Sequence, residues 1–237
     1  MWKSIFALLL LAAPALAQEQ PTAYQALRVV GTQLNRELVN HVIAVTGQDG
    51  NPQPATWKIL LDDPNARGGV REVEVANGKI ISERTPMRES VQGSLGAVVE
   101  TSKLNLDSSG AYTVAQQTAA SSHINFTTVD YALRVDERGN PIWQVTLHRE
   151  NGEPSGTIFI GANHGTITRT EGLFRGKDQT VANNDDQTTS DENDGDDDGD
   201  TNVVKLRIKH AFHQVRDDVK REFYKVRSSF VDFFRDN

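Results

Sequence analysis

Cysteine is absent from the 237 residues, so no disulfide braces this chain, no thiol serves as nucleophile or metal ligand, and no lipid-modified cysteine anchors it. Long apolar runs are scarce too. The one near the N-terminus, Ile5 to Ala13, is shorter than the roughly 20 residues that a membrane-spanning helix needs. Motifs for the common chemistries are also missing. There is no His-Glu-x-x-His, no Gly-x-Ser-x-Gly and no glycine-rich phosphate loop behind a strand, and the six His are scattered. Zinc hydrolysis, serine hydrolysis of that type and nucleotide binding are therefore disfavoured. Asp62-Asp63 before Pro64 reads as a turn rather than an acid–base pair. The chain is expected to be non-enzymatic and to carry no cofactor.

What the sequence does hold begins with Met1-Trp2-Lys3, the apolar run, Pro14 and Ala15-Leu16-Ala17, the basic, apolar and small-residue parts of a secretory signal. Residues 1–17 are predicted to be removed, giving a secreted or periplasmic protein. The formal net charge of -7 is distributed in blocks. Residues 178–200 hold ten acids and no base, residues 203–237 hold nine bases against five acids, and the remainder is close to neutral. Overall acidity therefore says little about what the folded part binds.

A unit recurs between these ends. Trp57-Lys-Ile-Leu-Leu61 leads to Asn77-Gly78-Lys79-Ile80, and Trp143-Gln-Val-Thr-Leu147 leads to Asn163-His164-Gly165-Thr166-Ile167. Gly-Asn-Pro precedes the Trp both times, at Gly50-Asn51-Pro52 and Gly139-Asn140-Pro141. Ahead of the first copy, Ala23, Leu27, Val30, Leu34 and Leu38 are spaced as one helical face, and Asp107-Ser108-Ser109 offers a helix cap ahead of Ala111, Val114 and Ala115. Strands are predicted at His41–Thr46, Thr56–Asp62, Val70–Val75 and Lys79–Glu83, then at Thr128–Val135, Ile142–Arg149, Thr157–Gly161 and Thr166–Thr170. The alternation of Trp57, Ile59 and Leu61 is that of a half-buried antiparallel strand. Both Trp are expected in the core rather than on a binding surface.

Tyr131-Ala-Leu-Arg-Val135, Trp143-Gln-Val-Thr-Leu147, Gly156-Thr-Ile-Phe-Ile160 and Asn163-His-Gly165-Thr-Ile167 resemble the strands and final turn of the PepSY family. The likeness covers about 107–170 well and 22–84 loosely. Gly161-Ala162 stands where that family often has an acid, so no ligand role is carried over there. The resemblance implies an α+β fold of two tandem modules, each one helix packed on a small antiparallel sheet. It also implies an extracytoplasmic binding or inhibitory role, since such modules occur in propeptides of secreted metallopeptidases and in small secreted proteins that restrain peptidases. The expected organisation is a signal at 1–17, a divergent module at 22–86, a linker at 87–106, a second module at 107–172, an acidic disordered linker at 173–202 and a basic amphipathic helix at 203–237.

Two features lie after the modules. Asp194, Asp196 and Asp198 match the first half of a calcium loop, but the twelfth position is Lys205, where a bidentate Glu is needed. They remain weak metal candidates against a solvated linker. From Val204 to Phe233 apolar residues recur at a mean spacing of about 3.6, making a C-terminal amphipathic helix. Its candidate membrane- or partner-binding residues are Phe212, Lys220, Arg221, Phe223, Lys225, Arg227, Phe230, Phe233 and Phe234. An anionic membrane surface, self-association and docking on protein all stay open for it, whereas nucleic acid is not expected. The function expected is binding of an extracytoplasmic protein or peptide, with modulation of a peptidase as the specific form. The alternatives are a structural or membrane-surface envelope protein whose tail is the working part, and a hydrolase using sheet carboxylates.

Overall fold

The computed structural model describes residues 20–173 apart from Ser94. The predicted signal segment, the acidic residues from 178 and the predicted C-terminal helix lie outside the described residues. Helix α1 (Ala23–Gln33) is followed by a 3-10 turn at Arg36–His41 and strands β1 (Val42–Gly50), β2 (Thr56–Asp62), β3 (Val70–Ala76) and β4 (Lys79–Arg84). A long connection leads to α2 (Ser108–Ser121) and to β5 (Thr128–Val135), β6 (Pro141–His148), β7 (Pro154–Gly161) and β8 (Ile167–Glu171). Local chemistry accounts for these elements. Thr22 closes a capping box on α1 with Gln25, and Asn77 and Gly78 both take positive φ, 51° and 71°, as a tight hairpin between β3 and β4 requires. The helical face read through Leu38 is cut short. Asn35 turns extended and caps the 3-10 turn by accepting from the Glu37 N–H, so Leu38 reaches the core from a second, tighter coil.

The expectation of two separate helix-on-small-sheet modules is overturned. All eight strands form one antiparallel sheet in the order β4-β3-β2-β1-β5-β6-β7-β8. The seam is β1 against β5, with Val45 opposite Leu133, Thr46 opposite Ala132 and Gly47 opposite Tyr131. Merging satisfies two strand edges that separate modules would leave open. It also fuses the interiors, because residues of α1, α2 and strands from both halves share one continuous core. Trp57, Tyr131 and Trp143 meet there, with ring centroids 5.5 to 6.4 Å apart.

The duplication is visible in a repeated bond. The Trp57 indole N–H donates to the Pro21 carbonyl at 2.7 Å and that of Trp143 to the Leu106 carbonyl at 2.9 Å. Each acceptor immediately precedes the N-cap of its helix, Thr22 or Asp107. Each Trp thus fixes where its own helix enters, and both are buried to within 1% of full cover.

Candidate functional site

The helices cover one face of the sheet, which leaves the opposite face as the extended candidate surface. Residues that alternate with the core positions line it. One row runs Glu74, Lys58, Thr46, Ala132, Gln144, Phe159, Arg169 across seven strands, and the neighbouring row pairs Asp130 with Thr146, Thr146 with Thr157 and Thr157 with Glu171.

The two halves treat this face differently. In the first, the connection after β4 folds back over it. The Arg88 guanidinium bonds Asp62 and the Gly69 carbonyl, and Val91 packs on Ile43, Ala44, Leu60 and Val70. The chain then passes to the helix side, where the Val99 N–H donates to the Val42 carbonyl at 2.6 Å and Leu104 and Leu106 join the core. In the second half, the counterparts of Leu60 and its partner Ala44 are Thr146 and Asp130, counted from Trp57 and Trp143. These are polar and half-buried. The second half keeps apolar residues on this face as well, since Phe159 and Ile142 are buried to 4% and 8% and Arg169 lies over the Phe159 ring, and its polar part is the row around Thr146.

Hydrogen bonds brace the second half of this face. The Thr146 and Thr157 hydroxyls lie 3.2 Å apart, and Arg134 donates to the Gln144 side chain. Arg134 has no ion-pair partner among the described residues, whereas Arg169 pairs with Glu171 at 3.0 Å and lies 3.9 Å over the Phe159 ring. Asp130 accepts the Asp49 N–H at 2.9 Å and faces His148 Nε2 at 3.0 Å, while His148 Nδ1 lies 3.1 Å from the Gly152 carbonyl. An Asp–His pair invites a catalytic reading. Here both ring nitrogens face oxygens of the protein itself, Asp130 on one side and the Gly152 carbonyl on the other, so the ring is engaged within the fold rather than aimed at a substrate.

The first half carries charge on the same face. Glu72, almost fully buried, receives Arg84 and lies 3.6 Å from Lys58, which also reaches Glu74 at 3.8 Å. At the turn after β2, Asp63 accepts from Arg71 Nε at 2.8 Å and from the Asn65 N–H at 2.9 Å. Burial pushes its carboxyl up, but the Arg71 guanidinium and the Asn65 and Ala66 amides outweigh that and hold it below the ordinary range. Asp62-Asp63 therefore belongs to a turn and two ion pairs.

A second candidate lies inside, where the helix N-termini meet. Asp107 caps α2 through the Ser108 N–H at 2.7 Å and also accepts the Tyr24 N–H of α1 at 3.0 Å, while Ser108 Oγ accepts the Ala23 N–H and donates to Gln53 Oε1. Two residues of the second half thus satisfy amides that the first helix leaves unpaired. Burial raises the Asp107 carboxyl, and bonds from Thr22, Ser108 and Tyr24 pull it back only in part. The adjoining cavity, lined by Tyr24, Leu27, Leu106, Leu133 and Trp143 among others, is about 20 Å³, enough for one water and too small for a substrate. This cluster is a joint.

The sequence-predicted site residues fall elsewhere. Asp194, Asp196 and Asp198, and the tail set from Phe212 to Phe234, lie outside the described residues. Among the described residues no three His, Asp or Glu come together as metal ligands, and no helix is long and apolar enough to cross a membrane. Of the open-face residues, strand parity in the sequence would have found Thr146 and His148. The reach of Asp107 to α1, over 83 positions, has no local signal. Compared with family models the chain matches none, and compared with curated proteins it matches none either.

Proposed function

We propose that this chain is a non-enzymatic binding protein of the extracytoplasmic space that docks a protein or peptide on the open face of its second half, restraint of a peptidase being the specific form. The observation that carries this reading is the contrast between halves. One half spends a connection covering its sheet face, whereas the other presents exposed Arg134 and half-buried Asp130, Gln144, Thr146 and Thr157 beside the buried Ile142 and Phe159. Braced rows of hydrogen-bonding side chains of this kind suit a partner that supplies complementary hydrogen bonds. The likeness to PepSY modules supports the extracytoplasmic part, and the occupied nitrogens of His148 count against the hydrolase alternative.

The test is affinity capture from the native cell envelope with three baits: the full chain, residues 18–176, and the full chain with Arg134→Glu and Thr146→Arg. A partner held by the first two and lost by the third is expected. Retention by the open-face variant would end this reading. The basic, aromatic periodicity of 203–237 favours a second reading, in which the tail is the working part at a membrane face, and loss of capture by residues 18–176 alone would select it.

A further inference from the structure

Each half closes the same corner with a nitrogen-bearing side chain set between a carboxylate and a turn glycine. Asp62 and His148 are the last residues of β2 and β6, each five positions after its Trp. In the first half the Arg88 guanidinium donates to the Asp62 carboxylate and to the carbonyl of Gly69, which ends the turn between β2 and β3. In the second half the His148 ring lies between the Asp130 carboxylate, 3.0 Å from Nε2, and the carbonyl of Gly152 in the turn between β6 and β7, 3.1 Å from Nδ1. Both glycines take positive φ, 70° and 79°.

Two acceptors favour one form of the ring. A neutral imidazole has one N–H and one lone pair, so with oxygens facing both nitrogens one contact sets lone pair against lone pair. An imidazolium has two N–H groups and satisfies both oxygens. Asp130 adds its negative charge on the Nε2 side, and its other oxygen accepts the Asp49 N–H at 2.9 Å. That amide lies at the register shift between Gly47 and Gly50 in the β1–β5 ladder, where Asp49 takes a φ of 55°. The ring thus ends a run of bonds that leads from the seam between the halves to the β6–β7 turn. The other ionisable groups around it are Asp49 on β1 and Arg149, Glu150 and Glu153 after β6, while β5 and β7 set the uncharged Thr128 and Pro154 opposite His148. Glu153 is held by the Asn151 side chain, and among the described residues the ring's ion-pair contact is with Asp130.

We propose that His148 is a pH-sensitive latch on the β6–β7 turn, closed as the imidazolium and open once one ring proton is lost. The proton kept is the one on Nε2, where the carboxylate holds it, so Nδ1 lets go of the Gly152 carbonyl. The turn then loosens while Asp130 and the seam stay bonded. Histidine changes charge between about pH 5 and 8, whereas a guanidinium stays charged throughout. The first half therefore carries a permanent form of this latch and the second a titratable one. The latch acts beside the outer face of the second half, and it stands whether or not that face docks a partner.

Nuclear magnetic resonance of the full mature chain from about pH 5 to about pH 9, a range that brackets the charge change of histidine, tests this. The nitrogen shifts of His148 should show both ring nitrogens protonated at the acid end and Nε2 alone at the alkaline end. The Arg149 and Gly152 amides donate to the Glu153 and Arg149 carbonyls within the turn. Their protection from hydrogen exchange, corrected for intrinsic rates, should fall about tenfold as pH rises, the worth of one hydrogen bond. The Gly69 amide, held by the Ala66 carbonyl beside Arg88, should show no such fall. In His148→Gln, whose side chain does not titrate, protection of the turn should stay level. The proposal is overturned if the neutral ring keeps its proton on Nδ1, or if protection of the turn does not change with pH in the unaltered chain. It is equally overturned if the fall persists in His148→Gln, or if Gly69 falls in step with Gly152.

Discussion

At the residue scale, burial decides what each polar group does. Asp63 and Asp107 are both buried carboxylates, but one faces a guanidinium and the other only amides and hydroxyls, and their pH effects have opposite signs. The lowered Asp63 stabilises the fold above the ordinary carboxylate range, and that contribution is lost as pH falls through its depressed value. Asp63→Asn should therefore flatten the acid side of a stability–pH profile measured by urea unfolding. For Asp107, raised by burial, the folded state holds the proton more tightly than the unfolded one. Stability from this group is full below the ordinary value and is lost as pH rises through the raised one, so Asp107→Asn should flatten that upper window. The indoles give a second comparison. Trp143→Phe strands the Leu106 carbonyl in the interior, at a cost of about 1–3 kcal/mol, whereas Trp57→Phe strands the half-exposed Pro21 carbonyl. A larger fall in melting temperature is expected for Trp143→Phe, and equal falls would sink this account.

Elements are joined by what their ends lack. The first amides of α1 are met by Asp107 and Ser108 as well as by Thr22, so one substitution acts on two helices. Asp107→Ala should cost about 2–4 kcal/mol, the sum of two caps at up to ~2 each, and Thr22→Ala about 1 kcal/mol. Denaturation midpoints distinguish the two. At the seam, Gly47 is needed because a Cβ there would lie 2.4 Å from Pro54 Cγ and 3.0 Å from the Trp57 ring. Gly47→Ala should destabilise by about 1–3 kcal/mol through overpacking. Most of this scale was legible in the sequence. Asn77-Gly78 marked its hairpin, Trp57, Ile59 and Leu61 marked their buried face, and Asp107 marked the start of α2. The break at Asn35 was not, because its side-chain bond to the Glu37 amide competes with a helical pattern that Leu34 and Leu38 continue.

For the whole molecule, the shared core predicts one cooperative unit. Both Trp, Tyr131 and the two helix N-termini meet across the β1–β5 seam, so neither half has a complete interior of its own. Thermal unfolding followed by tryptophan fluorescence and by far-ultraviolet circular dichroism should coincide in a single transition. Two resolved transitions would show that the halves melt separately. The outer face of the second half also belongs to this scale, since it is defined by what the first half does at the equivalent place.

The sequence by itself determined the repeated helix-and-strand order, the hairpins, the buried parity of each strand and the core role of the Trp residues, because these depend on neighbours a few positions away. Tertiary structure alone decided that the two repeats share one sheet, that Asp107 serves both helices, and that the connection after β4 folds over the outer face of the first half. The first two rest on contacts between residues 80 or more positions apart, such as Tyr24 with Asp107 and Gly47 with Tyr131, and the third on the return of Arg88 to Asp62 and of Val91 to Ile43. Hydrogen-bonding strand edges and capping carboxylates accept any suitably placed backbone group, so nothing local in the chain specifies which one they find.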